Sequence, residues 1–139
     1  MSGTGRIPTI LVAEDEDEVR GLILRSLRGL EANLIEAMDG TDAVQAIRRH
    51  QPDLLILDVR MPGLSGWEIC DRVRKDPALA STRILLLSAV GESTNEIMAS
   101  LSGADDWLDK PFDIAVLEAR VRRLLASPRG EPQKLTDPG

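Results

Sequence analysis

The chain has 139 residues, enough for one domain with a single core, and its 42% apolar and 29% charged residues are typical of an ordinary globular protein. A net charge of −6 argues against binding to nucleic acid or to an anionic membrane, and no apolar run approaches the ~20 residues of a membrane span. The lone cysteine, Cys70, excludes an internal disulfide and stands in an apolar helical stripe, which predicts a buried structural thiol. Because residues 1–9 also lack an apolar secretory signal, we expect a cytoplasmic protein.

Five short segments predict β-strands, and residues at helical spacing predict a helix after each of them. The first, third and fourth strands are apolar at every position, which is typical of central parallel strands covered on both faces. The second and fifth carry polar residues, as strands at a sheet edge do. In chain order the strands and the helical residues that follow them are Ile10–Ala13 with Val19, Leu22, Ile23 and Leu27; Ala32–Ala37 with Val44 and Ile47; Leu54–Leu57 with Ile69 and Val73; Ile84–Leu87 with Ile97 and Leu101; and Asp105–Leu108 with Leu117, Val121 and Leu124.

This strict alternation predicts an α/β fold, a doubly wound, five-stranded parallel sheet with five helices on its two faces. We expect the folded domain to span residues 8–126, with residues 1–7 as an N-terminal extension. Residues 127–139 are rich in proline, glycine and charge, which indicates a flexible tail or linker without core residues.

Polar residues follow the predicted strands at the edge where a parallel sheet binds ligands. We therefore expect carboxylates, a hydroxyl and an ammonium to converge there. Glu14 and Asp15 follow the first strand, Asp58 the third, Ser88 the fourth, and Asp109, Lys110 and Pro111 the fifth.

The chemistry of such a cluster follows from its crowded carboxylates, which raise one another's pKa unless a cation joins them. Carboxylate and carbonyl oxygens suit Mg²⁺, and Mg²⁺ together with Lys110 would neutralise the oxygens of a transferring phosphoryl group. Asp58 is the best candidate to accept that group as an acyl phosphate, because it follows a central strand. Ser88 could donate a hydrogen bond to the bound phosphate.

Four segments, each at or beside a predicted strand end, carry a family resemblance: "AEDED", "LDVRMPGLSG", "LLSA" and "GADDWLDKPF". In this order and spacing they resemble the receiver domain of bacterial two-component response regulators, over about residues 8–126. The resemblance implies the flavodoxin-like strand order 2-1-3-4-5.

The resemblance also implies a phosphoacceptor and a metal site. Asp58 would accept the phosphoryl group. Asp15, Asp58 and the backbone carbonyl of Arg60 would be Mg²⁺ ligands, and Glu14 would hold a metal-bound water. Arg60 occupies a position that varies in the family and influences the lifetime of the phosphate, so its cation could either shield the acyl phosphate or block water.

Two further residues would contact the phosphoryl group, namely Ser88 and Lys110. Ser88 would form the switch together with Trp107, at a position where receivers usually carry tyrosine or phenylalanine. The Lys110–Pro111 peptide bond would be cis, which is rare outside X–Pro bonds.

The function that we expect is a phosphorylation-controlled switch rather than an enzyme acting on a separate substrate. A phosphohistidine on a sensor histidine kinase or histidine phosphotransfer protein would donate to Asp58. An output partner would bind the face formed by the fourth helix, fifth strand and fifth helix, and phosphorylation could also produce a homodimer. The arginines of the fifth helix most simply form a solvated face, although some could be interfacial; they are Arg120, Arg122 and Arg123.

Other functions fit the sequence less well. A flavodoxin-like electron carrier needs a phosphate cradle after the first strand, where the acids would repel a phosphate. The glycine-rich motifs of nucleotide-binding proteins are absent. A phosphatase with an aspartate nucleophile would carry a second aspartate at the position of Arg60. An interaction module that is never phosphorylated would not need all five site positions filled.

Simple structural roles are also open to some of these residues. Acids after the first strand could favour a helix N-terminus, with Asp15 or Asp17 as the N-cap. Asp58 could be a turn former, although this does not explain Ser88 and Lys110. Trp107 could be plain edge-strand packing.

Overall fold

A computed structural model of the chain describes residues 6–89 and 102–126. The predicted fourth helix, around Ile97 and Leu101, and residues 127–139 lie outside the described residues.

The five predicted strands are all present in the described part of the chain, and every neighbouring pair is parallel. The order across the sheet is β2-β1-β3-β4-β5, which confirms the predicted flavodoxin-like topology. The strands are β1 (Thr9–Ala13), β2 (Asn33–Ala37), β3 (Leu54–Asp58), β4 (Arg83–Ala89) and β5 (Asp106–Lys110).

Four of the five predicted helices are confirmed within residues 6–89 and 102–126. A short 3₁₀ helix, Pro77–Leu79, was not predicted; its Asp76 cap accepts a hydrogen bond from the Ala78 N–H. In the part of the chain that the structure describes, no helix is both long enough and apolar enough to cross a membrane. The helices are α1 (Asp17–Leu27), α2 (Gly40–His50), α3 (Gly66–Arg74) and the C-terminal helix (Ile114–Ala126).

The sheet separates two apolar cores, and alternate residues of each central strand face opposite cores. In β1, Leu11 packs with the core on the α2 and α3 side, whereas Val12 packs with the core on the side of α1 and the C-terminal helix. This two-sided burial explains why the central strands are apolar at every position. Cys70 is fully buried in the first core, as predicted, and burial raises the pKa of its thiol to about 12.

At their carboxyl ends β3, β4 and β5 extend further than predicted, because the residues that follow the apolar runs stay in the parallel ladder. Asp58 pairs in register with Leu87, Ser88 with Asp109, and Ala89 with Lys110. The candidate site residues on β3, β4 and β5 therefore belong to strand backbone rather than to loops, which limits how far they can move.

The prediction that Asp15 or Asp17 caps α1 is wrong. The N-cap residue is Glu16, and among the described residues its side chain makes no capping hydrogen bond. The Glu16 N–H donates instead to Oε2 of Glu14 at 3.1 Å. Asp17 lies in the first turn, where its negative charge complements the helix dipole.

Candidate functional site

Three carboxylates meet at the carboxyl edge of the sheet, at the ends of β1 and β3. One oxygen each of Glu14, Asp15 and Asp58 lies within 4.8 Å of the others. Glu14 is 0% exposed and Asp58 is 5% exposed, whereas Asp15 is open to solvent. The expected convergence of these acids is therefore present, with two of them largely removed from water.

Lys110 joins this cluster from the end of β5, reaching past β4. Its Nζ atom lies 2.8 Å from Oε1 of Glu14 and 3.1 Å from Oδ2 of Asp58. The two buried carboxylates thus share this ammonium, so their combined negative charge exceeds the charge of the lysine. The peptide bond between Lys110 and Pro111 is cis.

Burial and this shared ion pair displace the pKa values of all three groups. Burial raises the pKa of Glu14 to about 7, although the ion pair with Lys110 acts in the opposite direction. Burial likewise raises the pKa of Asp58, and the charge of Lys110 offsets this in part. For Lys110, burial lowers the pKa, but the ion pairs with Glu14 and Asp58 outweigh burial and raise it. Because the carboxylates outnumber the single ammonium, the cluster favours the binding of a further cation.

The loop after β3 is held against the start of α2. The Arg60 N–H donates to Oδ1 of Asp58 at 3.3 Å, and the Gly40 N–H donates to the Pro62 carbonyl at 3.0 Å. A Cβ atom on Gly40 would lie 2.1 Å from the Leu64 carbonyl oxygen, so this contact requires glycine. Nothing in the local sequence around Gly40 indicates which loop it touches.

Ser88 is 1% exposed, and its hydroxyl donates to Oδ1 of Asp109 at 3.3 Å. To reach a group bound at Asp58, this hydroxyl would have to leave Asp109. An open pocket lies over Asp15 and Asp58, and the β4 residue that lines it is Ala89 rather than Ser88. The lining residues of this pocket are Asp15, Glu16, Asp58, Arg60, Ala89 and Lys110.

Trp107 is partly buried and packs against the core on the α2 and α3 side of the sheet. Its neighbour across the ladder is Leu86, two residues before Ser88. Its backbone carbonyl accepts a hydrogen bond from Arg120 at 3.1 Å. Trp107 and Ser88 thus lie on adjacent strands, two register positions apart.

The C-terminal helix is fastened to β5 by Asp106. Arg120 lies 3.1 Å and Arg123 lies 2.7 Å from carboxylate oxygens of Asp106. Arg122 pairs with Glu118 on its own helix. Two of the three arginines expected on a solvated face are therefore bonded to the last strand.

Sequence reasoning missed Arg20, which is 8% exposed and contacts the backbone of the acid cluster. A signal was present, since Arg20 stands three residues before Ile23 and seven before Leu27, and all three are buried on one face of α1. An arginine at a core-facing position needs buried partners.

Comparisons with known proteins agree with one another. The family model described as "Response regulator receiver domain" matches residues 10–122. The DNA-binding dual master transcriptional regulator RpaA of Synechocystis is 35% identical over 91% of this chain and 53% of its own length. The phosphate regulon transcriptional regulatory protein PhoB of Rhizobium meliloti is 37% identical over 94% of this chain and 56% of its own. The chain thus spans about half the length of these relatives.

Solved structures show the same likeness. The receiver domain of Francisella response regulator 1452 is 32% identical with a TM-score of 0.78, over 86% of this chain and 97% of that one. The chemotaxis response regulator CheY4 of Vibrio cholerae is 27% identical with a TM-score of 0.78, over 86% of this chain and 99% of that one.

Proposed function

The chain belongs to the response regulator receiver domain family, whose function is phosphorylation-based two-component signalling, and on that premise we propose that Asp58 is its phosphoacceptor. The observation that supports this most is the position of Asp58, at the end of a central strand, beneath an open pocket and within 3.1 Å of Lys110. Glu14 is fully buried and does not line this pocket. Asp15 is exposed and lines the pocket, but it follows β1 and does not lie on a strand.

The donor in this proposal is a phosphohistidine on a sensor histidine kinase or histidine phosphotransfer protein. A carboxylate oxygen of Asp58 forms a bond to phosphorus while the bond from phosphorus to the imidazole nitrogen breaks, and that bond's electron pair stays with the nitrogen. The ammonium of Lys110 offsets in part the effect of burial on the pKa of Asp58, and it stands beside the oxygens on which negative charge collects. The chemistry is confined to Asp58, so the protein acts as a signalling switch rather than as an enzyme on separate substrates.

We assign a Mg²⁺ site to the same cluster. Carboxylate oxygens of Glu14, Asp15 and Asp58 lie within 4.8 Å of one another, and hard divalent cations prefer oxygen ligands. Asp15, Asp58 and the Arg60 carbonyl would hold the ion directly, and Glu14 would act through a water. When bound, the ion supplies positive charge to the phosphoryl oxygens. Its charge would also relieve the repulsion between Glu14 and Asp58.

The switch that we propose runs from β4 to β5. A phosphoryl group on Asp58 offers Ser88 a stronger, charge-assisted hydrogen bond than the 3.3 Å contact with Asp109. Moving the hydroxyl would change the packing between β4 and β5, where Trp107 lies. Couplings between sites in proteins are typically ~1–3 kcal/mol, which is enough to bias such a two-state element.

The partners follow from this switch. An output partner would bind the face that includes β5, the C-terminal helix and the predicted fourth helix, and a homodimer could form there on phosphorylation.

We propose that residues 8–126 form the receiver, residues 1–7 an N-terminal extension and residues 127–139 a tail or linker. The unpaired, buried Cys70 favours a cytoplasmic location. With its net charge of −6, the chain itself would not bind nucleic acid.

The assignment of Asp58 is tested by intact mass measurement after incubation with acetyl phosphate and Mg²⁺, and again with a phosphorylated histidine phosphotransfer protein. We expect a single phosphoryl adduct on the wild type and none on Asp58→Asn. Asp76→Asn, which changes a carboxylate that caps the 3₁₀ helix, should be phosphorylated like the wild type. An undiminished adduct on Asp58→Asn would falsify the assignment, and no adduct on the wild type would favour an interaction module that is never phosphorylated.

A further inference from the structure

Arg20, on the first helix, donates hydrogen bonds from all three of its guanidinium nitrogens. Its Nη1 atom donates to the backbone carbonyl of Glu14 at 2.8 Å in the protein interior. Its Nε atom donates to Glu36 on β2 at 2.9 Å, and its Nη2 atom donates to Asp17 at 2.6 Å. We propose that Arg20 is a positioning residue of the metal site, which holds the backbone that carries Glu14 and Asp15; this inference rests on the proposed Mg²⁺ site.

The backbone of Glu14 is held from two sides. Its N–H donates to the carbonyl of Ala37, the last residue of β2, at 3.2 Å, and its carbonyl accepts from Arg20. That carbonyl belongs to the planar peptide unit joining Glu14 to Asp15. Arg20 therefore also sets the position of the Asp15 nitrogen and Cα atom. Because the Asp15 side chain is exposed, its backbone is the part that the fold can hold in place.

The geometry requires the fork of a guanidinium. Three nitrogens of one plane reach a carbonyl after β1, a carboxylate on β2 and a carboxylate on α1, which a lysine ammonium cannot do at once. The carboxylates of Glu36 and Asp17 are 58% and 85% exposed, so they neutralise the guanidinium from its outer side. The inner nitrogen, Nη1, is left directed at Glu14. Arg20 thus places a guanidinium that two carboxylates neutralise in the interior, where its Nη1 atom binds the backbone carbonyl of Glu14.

A purely structural role of Arg20 would be to join α1 to β2. This role and the positioning role depend on different contacts, so variants can separate them. Glu36→Gln weakens the outer, strand-joining contact and leaves the bond to Glu14 in place. Arg20→Met removes both while keeping most of the stem, and Arg20→Lys keeps the stem and the charge but loses the fork. Ile23→Val removes a methylene group from the same buried face of α1 and serves as a control for loss of stability alone.

The experiment is a calorimetric titration of Mg²⁺ into the wild type and these four variants, at a temperature where circular dichroism shows each to be folded. Removing a partner that orients a metal ligand typically weakens metal affinity 10–100-fold, so we expect the Mg²⁺ Kd to rise about tenfold in Arg20→Met and Arg20→Lys. Glu36→Gln and Ile23→Val should keep the wild-type Kd, even where their melting temperatures fall. Arg20→Lys supplies the answer if Arg20→Met does not fold.

The outcomes separate this inference from the proposed function. If the wild type binds Mg²⁺ and folded Arg20 variants bind it with the same Kd, the positioning role is overturned and the metal site stands. If Kd rises equally in Ile23→Val, the loss reflects stability and the role is again overturned. If the wild type itself binds no Mg²⁺, the proposed site fails and the role of Arg20 fails with it.

Discussion

The buried carboxylate of Glu14 gives the domain a specific dependence on pH. Its pKa in the folded protein is about 7, raised by burial from an ordinary value of 4.5. Between these two values the folded state binds more protons than the unfolded state, so stability falls as pH rises. We therefore expect the metal-free domain to lose up to about 3 kcal/mol between about pH 5 and pH 7 from Glu14, at ~1.4 kcal/mol per pKa unit. The raised pKa of Asp58 acts in the same direction.

Urea unfolding of the wild type and Glu14→Gln at pH 5, 6 and 7, without divalent ions, measures this effect. Because both proteins share the remaining carboxylates, the difference between their free energies of unfolding isolates Glu14. The free energy of unfolding of the wild type minus that of Glu14→Gln should decrease as pH rises in this window. A difference that is constant or increases would mean that Lys110 compensates the burial of Glu14 fully.

Gly40 illustrates a residue whose identity is set by a distant contact. An added Cβ would lie 2.1 Å from the carbonyl oxygen of Leu64 and would push the loop after Asp58 away from α2. Gly40→Ala should therefore lower the free energy of unfolding by about 1–3 kcal/mol, as overpacking typically does. It should also slow phosphorylation of Asp58, because the displaced loop carries Arg60.

Gly29→Ala is the matched control, because a Cβ at Gly29 would have no atom of the described residues within 4 Å. Its free energy of unfolding should be equal to or slightly above that of the wild type, since alanine reduces the entropy of the unfolded chain. Both variants are compared by chemical denaturation and by the rate of the mass change with acetyl phosphate. Equal stability of the two alanine variants would show that the loop yields at little cost.

At the scale of elements, the caps differ between helices. α3 begins with a capping box, in which Oγ of Ser65 accepts from the Glu68 N–H and Oε1 of Glu68 accepts from the Ser65 N–H. Ser65→Ala should lower the free energy of unfolding by about 1 kcal/mol, because it leaves a backbone N–H of the first turn without its partner. Since α3 starts at Gly66, beside the backbone of Asp58, phosphorylation should slow as well.

The control for this change is Ser26→Ala in α1. The Ser26 hydroxyl donates to the Ile23 carbonyl inside the helix, so no cap is lost, and alanine has the higher helix propensity. Thermal unfolding followed by circular dichroism compares the two variants. A loss in Ser26→Ala as large as in Ser65→Ala would contradict a specific role for the cap.

The last strand and the C-terminal helix behave as a unit in this structure. Asp106 binds Arg120 and Arg123, and the carbonyl of Trp107 accepts from Arg120. We therefore expect a change in the backbone of β5 to be passed to the C-terminal helix through these bonds. This connection joins the proposed switch residue to the face proposed for partners.

At the scale of the whole molecule, loading Asp58 should change the surroundings of Trp107. Beryllofluoride stands in for the phosphoryl group, and Trp67→Phe leaves Trp107 as the remaining indole of the 139-residue chain. Adding beryllofluoride with Mg²⁺ should shift the Trp107 emission and lower its quenching by acrylamide, because in the proposed switch the indole would turn inward as Ser88 moves toward the bound group. The measurement is steady-state fluorescence with an acrylamide titration.

Two controls keep this result specific. Mg²⁺ alone shows any quenching that the metal itself causes, and Asp58→Asn should show neither change with beryllofluoride. If spectrum and accessibility stay constant while calorimetry shows that the site is loaded, Trp107 is static packing. The switch would then have to act through the predicted fourth helix, near Ile97 and Leu101.

The local sequence pattern determined the strands, the type of sheet and the position of the candidate site. Uninterrupted apolar runs predict β1, β3 and β4, because a strand covered on both faces has no position for a polar side chain. Alternation with helices requires a parallel sheet, and a parallel sheet brings the residues after its strands to one edge. The meeting of Glu14, Asp58 and Lys110 therefore follows from the sequence without knowledge of any distance.

Contacts between elements were decided by the tertiary structure alone. That Gly40 touches Leu64 and that Arg20 reaches the Glu14 carbonyl depend on how a helix is rotated and seated against the sheet. That Ser88 donates to Asp109 depends on the register between β4 and β5. Periodicity specifies which face of a helix is buried, but it does not specify what that face meets. The sequence by itself thus determined the fold and the groups of the candidate site, and only packing decided which atoms hold those groups in place.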